Sequence, residues 1–307
     1  MRKGKVKMKK AILLYNPKAG SRQIINYLDF IAERLQEMNY ELRLYRSEHK
    51  GSIREYIEQY IDERNTDLII VSGGDGTINE CVNGMAHKKI DIPILILPLG
   101  TANDFAYSAH IPSDVGEALE LIEKGEVKYV DVGKVNEQYF INVCNMGLFS
   151  GISHIVDLEL KKKFGKLAYY VKGFEELQNY QAMELDIELP EQRISNEYIL
   201  ILIFNGKAAG GFTKLAKNAS IIDGAFDVIG IKKVEIHDIP KLFLKVLQGE
   251  HLKDSNIDYW VTNSINITCK NEEKNFITDI DGEEGPKFPL NIEVKQNLIR
   301  FYLPKEE

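Results

Sequence analysis

The sequence predicts an α/β protein that has an N-terminal domain with an open parallel sheet, a β-rich C-terminal domain and a cleft between them. Apolar, strand-like runs alternate with helical periodicity over residues 9–130, and this alternation is typical of a parallel sheet with helices on both faces. From Asp131 onward, strand-like runs follow one another with few helices between them, which indicates a β-rich domain. We therefore expect domains at 9–130 and 131–297, joined at 127–132 without a flexible linker.

The individual elements follow from their periods. Apolar residues recur at helical spacing in four segments of the first domain, which are 24–38, 52–61, 77–86 and 115–123. Continuous apolar runs predict its strands, at 11–15, 42–45, 68–71 and 92–97. In the second domain the sequence predicts helices at 166–177 and 234–247, and strands at 140–145, 184–189, 198–204, 226–231, 259–268, 276–280 and 291–294.

Composition restricts the class of protein. The chain has 307 residues, is 44% hydrophobic and 28% charged, and is long enough for two domains with real cores. Its longest apolar run, 199–204, is well short of the roughly 20 residues of a membrane helix. The basic start at 1–10 leads to no cleavage site, so we expect a cytoplasmic protein without a secretory signal.

Charge and cysteine content exclude other classes. The net charge of −7 argues against nucleic acid as a main partner, because such proteins usually carry excess Lys and Arg. Cys81, Cys144 and Cys269 are widely spaced and form no C-x-x-C motif. Neither a disulfide framework nor a zinc site is therefore expected, and the thiols should be buried or inert.

A glycine-rich turn follows the third predicted strand. The motif Gly-Gly-Asp-Gly-Thr at 73–77 stands where a strand passes into a helix. Glycine lets the backbone approach a polyphosphate closely, and the N–H groups of the turn and the helix N-terminus attract anionic oxygens. Asp75 alone would repel phosphate, so its presence implies Mg²⁺ or a sugar hydroxyl beside it. A purely structural glycine turn is the alternative.

Two similar turns follow other predicted strands. Residues 16–20 read Asn-Pro-Lys-Ala-Gly after the first strand, and residues 98–106 read Pro-Leu-Gly-Thr-Ala-Asn-Asp-Phe-Ala after the fourth. In an open parallel sheet, ligands bind at the carboxyl ends of the strands. We therefore expect these three turns, named the first loop (16–20), the second loop (73–77) and the third loop (98–106), to line one edge.

The three loops, in this order and spacing, resemble the catalytic domain of the diacylglycerol kinase and bacterial lipid kinase family. That family has a nucleotide-binding fold similar to those of NAD kinases and, more distantly, phosphofructokinases. Val-Asp-Val-Gly at 130–133, Asp-Gly at 223–224 and Asp-Gly-Glu at 281–283 also match its order, so the resemblance covers nearly the whole chain. NAD kinases share the motif of the second loop but not Asn-Asp-Phe-Ala at 103–106. The resemblance also implies that the last strand, at 298–303, returns to the first domain, which would then include 298–307.

The resemblance implies that the first domain binds ATP. The nucleotide positions that it implies are Asn16, Pro17, Lys18, Ala19, Gly20, Ser47, Gly74, Asp75, Gly76, Thr77, Ile78, Asn79, Glu80 and Thr101. Ser47 stands where the family more often has threonine, and it keeps the hydroxyl. The sequence has no G-x-x-x-x-G-K-[ST] motif, so Mg²⁺ has to neutralise more of the phosphate charge.

Four carboxylates are the candidate catalytic residues. Asp75, Asp104 and Asp131 are expected to hold Mg²⁺, in part through water, because hard cations favour oxygen ligands; for Asp131 a structural role at the domain join is the alternative. Glu283 is the candidate general base for an acceptor hydroxyl. The adjacent Glu284 competes with it, since neighbouring strand residues point in opposite directions, and the family's spacing favours Glu283. Without the resemblance, Asp-Gly-Glu reads as a turn.

The segment 218–227, named the metal loop, resembles the family loop that holds a second, structural Mg²⁺. By position its ligands are the Asp223 side chain and the backbone carbonyls of Ser220 and Ala225. Lys217 stands where the family commonly has proline. A simple hairpin turn at Asp-Gly is the alternative.

The resemblance as a whole implies an ATP-dependent kinase that phosphorylates the hydroxyl of diacylglycerol, or of a related membrane lipid, to give phosphatidic acid. The alternatives are a sphingoid-base or other lipid kinase, an NAD kinase, and a non-catalytic nucleotide- or lipid-binding protein. Transient contact with an anionic membrane surface is expected through basic residues such as the run at 161–166, although a solvated surface explains that run equally well. The oligomeric state stays open, with a homodimer as one option.

Overall fold

The computed structural model describes residues 7–148, 181–208, 216, 218–239, 241–242, 245, 249–250 and 254–305. The predicted helix at 166–177, the basic run at 161–166, Lys217 and the first six residues of the basic start lie outside the described residues. The chain divides into two compact units. Unit 1 comprises Met1–Val130 and Gln296–Glu307, and unit 2 comprises Asp131–Lys295.

Unit 1 is built on a parallel sheet. Its strands are β1 (Lys9–Tyr15), β2 (Tyr40–Arg46), β3 (Leu68–Gly73), β4 (Ile94–Pro98) and the C-terminal part of β15 (Leu290–Leu303). Their order is β2-β1-β3-β4-β15, and each neighbouring pair is parallel. Its helices are α1 (Ile24–Glu37), α2 (Ser52–Tyr60), α3 (Asp75–Lys88), α4 (Asp104–Ser108) and α5 (Val115–Lys124).

The apolar runs explain this sheet. All residues of β3 and β4 are buried, as expected for parallel strands covered on both faces. The amphipathic helix α1 buries Ile24, Ile31 and Leu35, because residues at helical spacing share one face. Helix α5 begins after Asp114, whose carboxylate accepts a hydrogen bond from the Glu117 N–H at 3.0 Å and so caps the helix.

Unit 2 is a sheet of antiparallel strands. Its strands are β5 (Glu126–Val135, which begins in unit 1), β6 (Gln138–Phe140), β7 (Val143–Gly147), β8 (Met183–Leu189), β9 (Gln192–Phe204), β10 (Phe226–Lys232), β11 (Ile257–Thr262), β12 (Ser264–Cys269), β13 (Thr278–Ile280), β14 (Glu283–Glu284) and the N-terminal part of β15. The order is β14-β13-β7-β9-β8-β12-β15, with β10 beside β9 and β11 beside β10. Two apolar clusters form its core, one of them around Phe140, Tyr198 and Phe226 and the other around Phe204 and Ile229. The predicted fold class, a parallel α/β part followed by a β-rich part, is confirmed.

Several predicted bounds need correction. The strand predicted at 140–145 is interrupted at Ile141 and Asn142, where Asp281 and Asn205 instead of a neighbouring strand bind the backbone. The strand predicted at 259–268 divides at Asn263, and the strands predicted at 291–294 and 298–303 are one strand, β15. Strand β13 begins two residues later than predicted, and the short helix α4 was not predicted. In the segment 234–247 the helix does not include 234–238, and Ile239 is its first helical residue among those described.

Candidate active site

The first and third loops touch at the carboxyl end of the unit 1 sheet. The Asn16 N–H donates to the Ser72 carbonyl at 3.0 Å, which holds the first loop beside the end of β3. Gly20 has a φ of +45°, and a Cβ at this position would lie 1.8 Å from the Leu99 carbonyl oxygen. Only glycine combines this backbone conformation with so close an approach. The first loop therefore lies directly on the third.

The second and third loops also touch. A Cβ on Gly100 would lie 2.3 Å from the Gly74 Cα. Asn103, at a φ of 54°, closes the third loop because its Oδ1 accepts from the Gly100 N–H at 2.9 Å and its Nδ2 donates to the Pro98 carbonyl at 3.0 Å. The prediction that three loops line one edge of the sheet is confirmed by these contacts.

Two of the candidate carboxylates stand at this edge. Asp75 is the first residue of α3, and its Oδ1 accepts from the Phe105 N–H at 3.0 Å. Asp104 is the first residue of α4 and is buried. Carboxylate oxygens suit a hard divalent cation, and the assignment of these two residues to Mg²⁺ stays a prediction.

The other predicted nucleotide positions lie in the loops, beside a strand end or in the first turns of α3. The Lys18 N–H donates to the Asn16 Oδ1 at 2.9 Å, which fixes the turn of the first loop. The Ser47 N–H donates to the Tyr15 carbonyl at 2.9 Å, so Ser47 lies beside the end of β1. Thr101 is exposed in the third loop. The remaining predicted positions lie in the first loop or in the first turns of α3, and they are Pro17, Ala19, Gly76, Thr77, Ile78, Asn79 and Glu80.

Two of these residues have structural contacts that the sequence did not indicate. Ile78 is fully buried, and its N–H donates to the Gly74 carbonyl at 3.2 Å; contact of Ile78 with a nucleotide stays a prediction. Glu80 accepts hydrogen bonds from the N–H groups of Gly51 at 2.8 Å and Ile53 at 3.2 Å. These are orphan donors at the start of α2, and a carboxylate there stabilises the helix. Contact of Glu80 with a nucleotide stays a prediction.

In unit 2, Glu283 lies on a tight hairpin between β13 and β14, here named the base hairpin (278–284). Ile280 pairs with Glu283 across it. The two connecting residues have positive φ angles, 51° at Asp281 and 88° at Gly282, as in a type I′ turn, which favours Asp-Gly. Glu283 is half-buried and Glu284 is exposed. The role of Glu283 as the base stays a prediction.

Asp281 holds the base hairpin in place. Its carboxylate accepts three consecutive backbone hydrogen bonds, from Ile141 at 2.7 Å, Asn142 at 2.9 Å and Val143 at 2.9 Å. Sequence reasoning treated Asp281 as part of a turn motif only. No local signal could have shown this contact, because the three amides are about 140 residues away along the chain.

Asp131 contacts the metal loop. It is buried in β5, and its Oδ2 accepts from the Gly224 N–H at 2.7 Å. Asp223 is exposed, and its Oδ1 accepts from the Ala225 N–H at 3.2 Å. The Ser220 hydroxyl accepts from the Ile222 N–H at 3.4 Å. One carboxylate with nearby backbone carbonyls is a set of oxygen donors that fits Mg²⁺, and the roles of Ser220, Asp223 and Ala225 stay predictions.

A titratable pair that the sequence did not indicate joins the last residue of the metal loop, Asp227, to Tyr259. Asp227 is buried, and the Tyr259 hydroxyl donates a short hydrogen bond to its Oδ1. Burial raises the pKa of Asp227; the hydrogen bond from Tyr259 opposes this shift, and the negative charge of Asp223 adds to it. The pKa of Tyr259 is raised as well, by burial and by the bond to Asp227.

Two further expectations concern metals and thiols. Among the residues that the structure describes, no three His, Cys, Asp or Glu side chains cluster in a way that could hold a metal ion. The three cysteines are buried, as predicted, and burial raises the thiol pKa values of Cys81 and Cys144.

In the described part of the chain, no helix is both long enough and apolar enough to span a bilayer.

Comparison with known proteins decides the family. Residues 10–135 match the model of the diacylglycerol kinase catalytic domain, and residues 143–303 match that of the YegS C-terminal NAD kinase beta sandwich-like domain. A diacylglycerol kinase of Staphylococcus haemolyticus is 34% identical over 96% of this chain and 88% of its own length. The chain belongs to the diacylglycerol kinase family. It is a diacylglycerol kinase-like phosphotransferase with an alcohol acceptor.

Further members of the diacylglycerol kinase family align with similar completeness. A diacylglycerol kinase of Bacillus subtilis is 33% identical over 98% of this chain and 98% of its own length. A solved structure of a candidate diacylglycerol kinase from Bacillus anthracis has a TM-score of 0.81 and 32% identity, and it covers 99% of this chain and 98% of that chain. Membership of this kinase family implies ATP and a divalent metal in general.

Proposed function

We propose that this enzyme transfers the γ-phosphoryl group of ATP to the hydroxyl of diacylglycerol, with Mg²⁺ as the metal, and so forms phosphatidic acid. The observation that carries the proposal is the edge where the three loops meet, with Asp75 and Asp104 at its helix N-termini. This edge occurs in a chain that aligns along nearly its whole length with proteins named diacylglycerol kinase.

In this proposal, unit 1 binds the triphosphate mainly through its backbone. The close packing of Gly74 against Gly100 keeps side chains away, so that N–H groups can approach phosphate oxygens. Asp75, Asp104 and Asp131 would hold Mg²⁺. When bound, the ion neutralises negative charge on the phosphate oxygens, which is a main requirement of phosphoryl transfer.

Unit 2 would supply the acid–base chemistry. The Glu283 carboxylate takes the proton of the diacylglycerol hydroxyl while that oxygen forms a bond to the γ-phosphorus. The bond between the γ-phosphorus and the bridging oxygen breaks, and ADP leaves with those electrons. Ser220, Asp223 and Ala225 would hold a second, structural Mg²⁺. We also propose transient contact with an anionic membrane surface, since that is where the lipid lies.

The test is a phosphorylation assay with purified protein. The protein is incubated with ATP labelled in the γ-phosphate, Mg²⁺, and mixed micelles that contain diacylglycerol, monoacylglycerol or a long-chain base, with NAD in a parallel reaction. We expect label in phosphatidic acid, and we expect it to disappear with Glu283→Gln, which excludes a contaminating kinase. Label found only in another lipid or only in NADP would overturn the substrate assignment.

A further inference from the structure

The backbone of segment 141–143 in unit 2 is bound by two residues, Asp281 and Asn205. The N–H groups of 141, 142 and 143 all donate to the Asp281 carboxylate. The carbonyl of 143 accepts from the Asp281 N–H at 3.0 Å, and the carbonyl of 142 accepts from the Asn205 N–H at 2.8 Å. The carbonyl of 141 accepts from the Asn205 Nδ2 at 3.0 Å. Asp281 and Asn205 therefore bind all six backbone polar groups of segment 141–143.

Asn205 also binds the strand that carries Asp131. Its Nδ2 donates a second hydrogen bond, to the Asp131 carbonyl at 2.9 Å. The Asp131 N–H donates to the Ile221 carbonyl at 2.8 Å, and the Asp131 carboxylate binds the Gly224 N–H. Asp131, which Asn205 holds, therefore binds the metal loop on both sides of Asp223.

The chemistry of this site requires asparagine. The side chain is completely buried, and its Oδ1 has no hydrogen-bond partner among the described residues. A buried polar group normally satisfies its hydrogen-bonding capacity, so its retention here needs a reason. Its uncharged amide nitrogen has two hydrogens and donates one to each carbonyl; aspartate would place negative oxygens against the carbonyls, and leucine would leave both unsatisfied.

We infer that Asn205 is a positioning residue that holds the base hairpin and the metal loop in one fixed arrangement. This inference rests on the proposed function, because it assigns roles to Glu283 and to the metal loop. The connection runs from Glu283 through Asp281 to segment 141–143, and from there through Asn205 to Asp131 and the metal loop. Loosening either end should therefore affect the other.

The test uses the full chain, three single variants and the double variant that combines Asn205→Ala with Asp281→Asn. Asn205→Ala removes the donor to both carbonyls, and Asp281→Asn removes one acceptor from the opposite side of segment 141–143. Asn271→Ala is the matched control: Asn271 is a buried asparagine of unit 2 that donates to the Ala182 carbonyl and accepts from the Glu184 N–H, but it has no part in this connection. For each protein we would measure the increase of the unfolding temperature with Mg²⁺, and the kcat and KM for ATP with diacylglycerol micelles.

We expect Asn205→Ala to lower kcat and the affinity for Mg²⁺ by about 10–100-fold each, as the loss of supporting residues does at metal and catalytic sites. The KM for ATP should stay unchanged. The stabilisation by Mg²⁺ should shrink in Asp281→Asn as well, although Asp281 is not a proposed metal ligand. The double variant should lose less than the product of the single losses, because coupled sites are not additive.

Several results would overturn the inference. One such result is that Asn205→Ala and Asn271→Ala, at an equal loss of unfolding temperature, lose the same activity and the same stabilisation by Mg²⁺. Another is that the activity losses of Asn205→Ala and Asp281→Asn multiply in the double variant. If Asn205→Ala does not fold, Asp281→Asn decides, and full Mg²⁺ stabilisation in that variant contradicts the coupling. A wild-type protein that Mg²⁺ does not stabilise also contradicts it. A wild type that Mg²⁺ stabilises but that phosphorylates no diacylglycerol contradicts the proposed function instead.

Discussion

The two units place their candidate groups by different means. In unit 1 the loops follow strand ends, and glycines at positions 20 and 100 let them touch; the Asp75 contact spans only 30 residues of sequence. In unit 2 the candidate groups depend on side chains that bind distant backbone, over 140 residues for Asp281 and 74 for Asn205. A site made of backbone is sensitive to added volume, whereas one made of side-chain hydrogen bonds is sensitive to the loss of single atoms. Unit 1 variants should therefore act mainly on ATP binding, and unit 2 variants on turnover.

The largest expected effect tests unit 2. Glu283→Gln should lower kcat by about 10²–10⁴-fold, the usual contribution of a positioned base, and leave the KM for ATP unchanged because the nucleotide positions stay intact. Steady-state kinetics measure both constants. Glu284→Gln is the matched control and should keep wild-type turnover, since Glu284 is exposed and adjacent strand residues point in opposite directions. The reverse result would assign the base to Glu284.

The second effect tests the carboxylates of unit 1. Asp75→Asn keeps an oxygen acceptor for the Phe105 N–H but loses the charge, so we expect a higher Mg²⁺ requirement and about 10–100-fold less activity. Activity measured against Mg²⁺ concentration checks this. Asp114→Asn is the control, because Asp114 also accepts a backbone N–H at a helix N-terminus of unit 1. Equal behaviour of the two variants would remove Asp75 from the metal site.

A pair of alanine variants separates packing from ligand binding at the loops. Gly100→Ala should lower the free energy of unfolding by about 1–3 kcal/mol, as overpacking does, because its Cβ would overlap Gly74. Gly74→Ala has room inside the protein, with its Cβ 3.5 Å from the Gly100 Cα, so we expect unchanged stability but a higher KM for ATP. Denaturant unfolding and ATP kinetics measure the two quantities. An unchanged KM in Gly74→Ala would argue against phosphate binding at the second loop.

The smallest effect on turnover concerns the basic run at 161–166. Replacing its four lysines with glutamine should weaken binding to anionic vesicles by about 1 kcal/mol per lysine that lies near the surface, without changing turnover in neutral micelles. Sedimentation with vesicles of phosphatidylserine and phosphatidylcholine measures the binding. Equal sedimentation of the variant and the wild type would show that this run is an ordinary solvated surface.

Much of unit 1 could be predicted from the sequence, because its signals are local. The alternation of apolar runs and helical periodicity predicts the order of β1 to β4 and the helices α1, α2, α3 and α5, but not α4. The rule that ligands bind at the carboxyl ends of parallel strands brings the three loops together before any coordinates are considered. The structural contact of Glu80 with the start of α2 escaped prediction because it joins two helices through a side chain.

Less of unit 2 could be predicted. The interruption at Ile141 and Asn142, the buried pair of Asp227 and Tyr259, and the contacts of Asn205 have no local sequence signal. The sequence indicates Asp281 as part of an Asp-Gly turn, and the structure contains this turn. The three backbone N–H groups that donate to its carboxylate have no signal in the sequence.

By itself, the sequence determined the fold class, the strand ends where glycine and aspartate gather, and the family to which the chain belongs, because strand and helix periods and turn residues are encoded by neighbours along the chain. Only the tertiary structure decided which buried polar groups meet. The partners of Asp131, Asn205 and Asp281 lie far away in sequence, and only the tertiary arrangement of unit 2 brings them within hydrogen-bond distance.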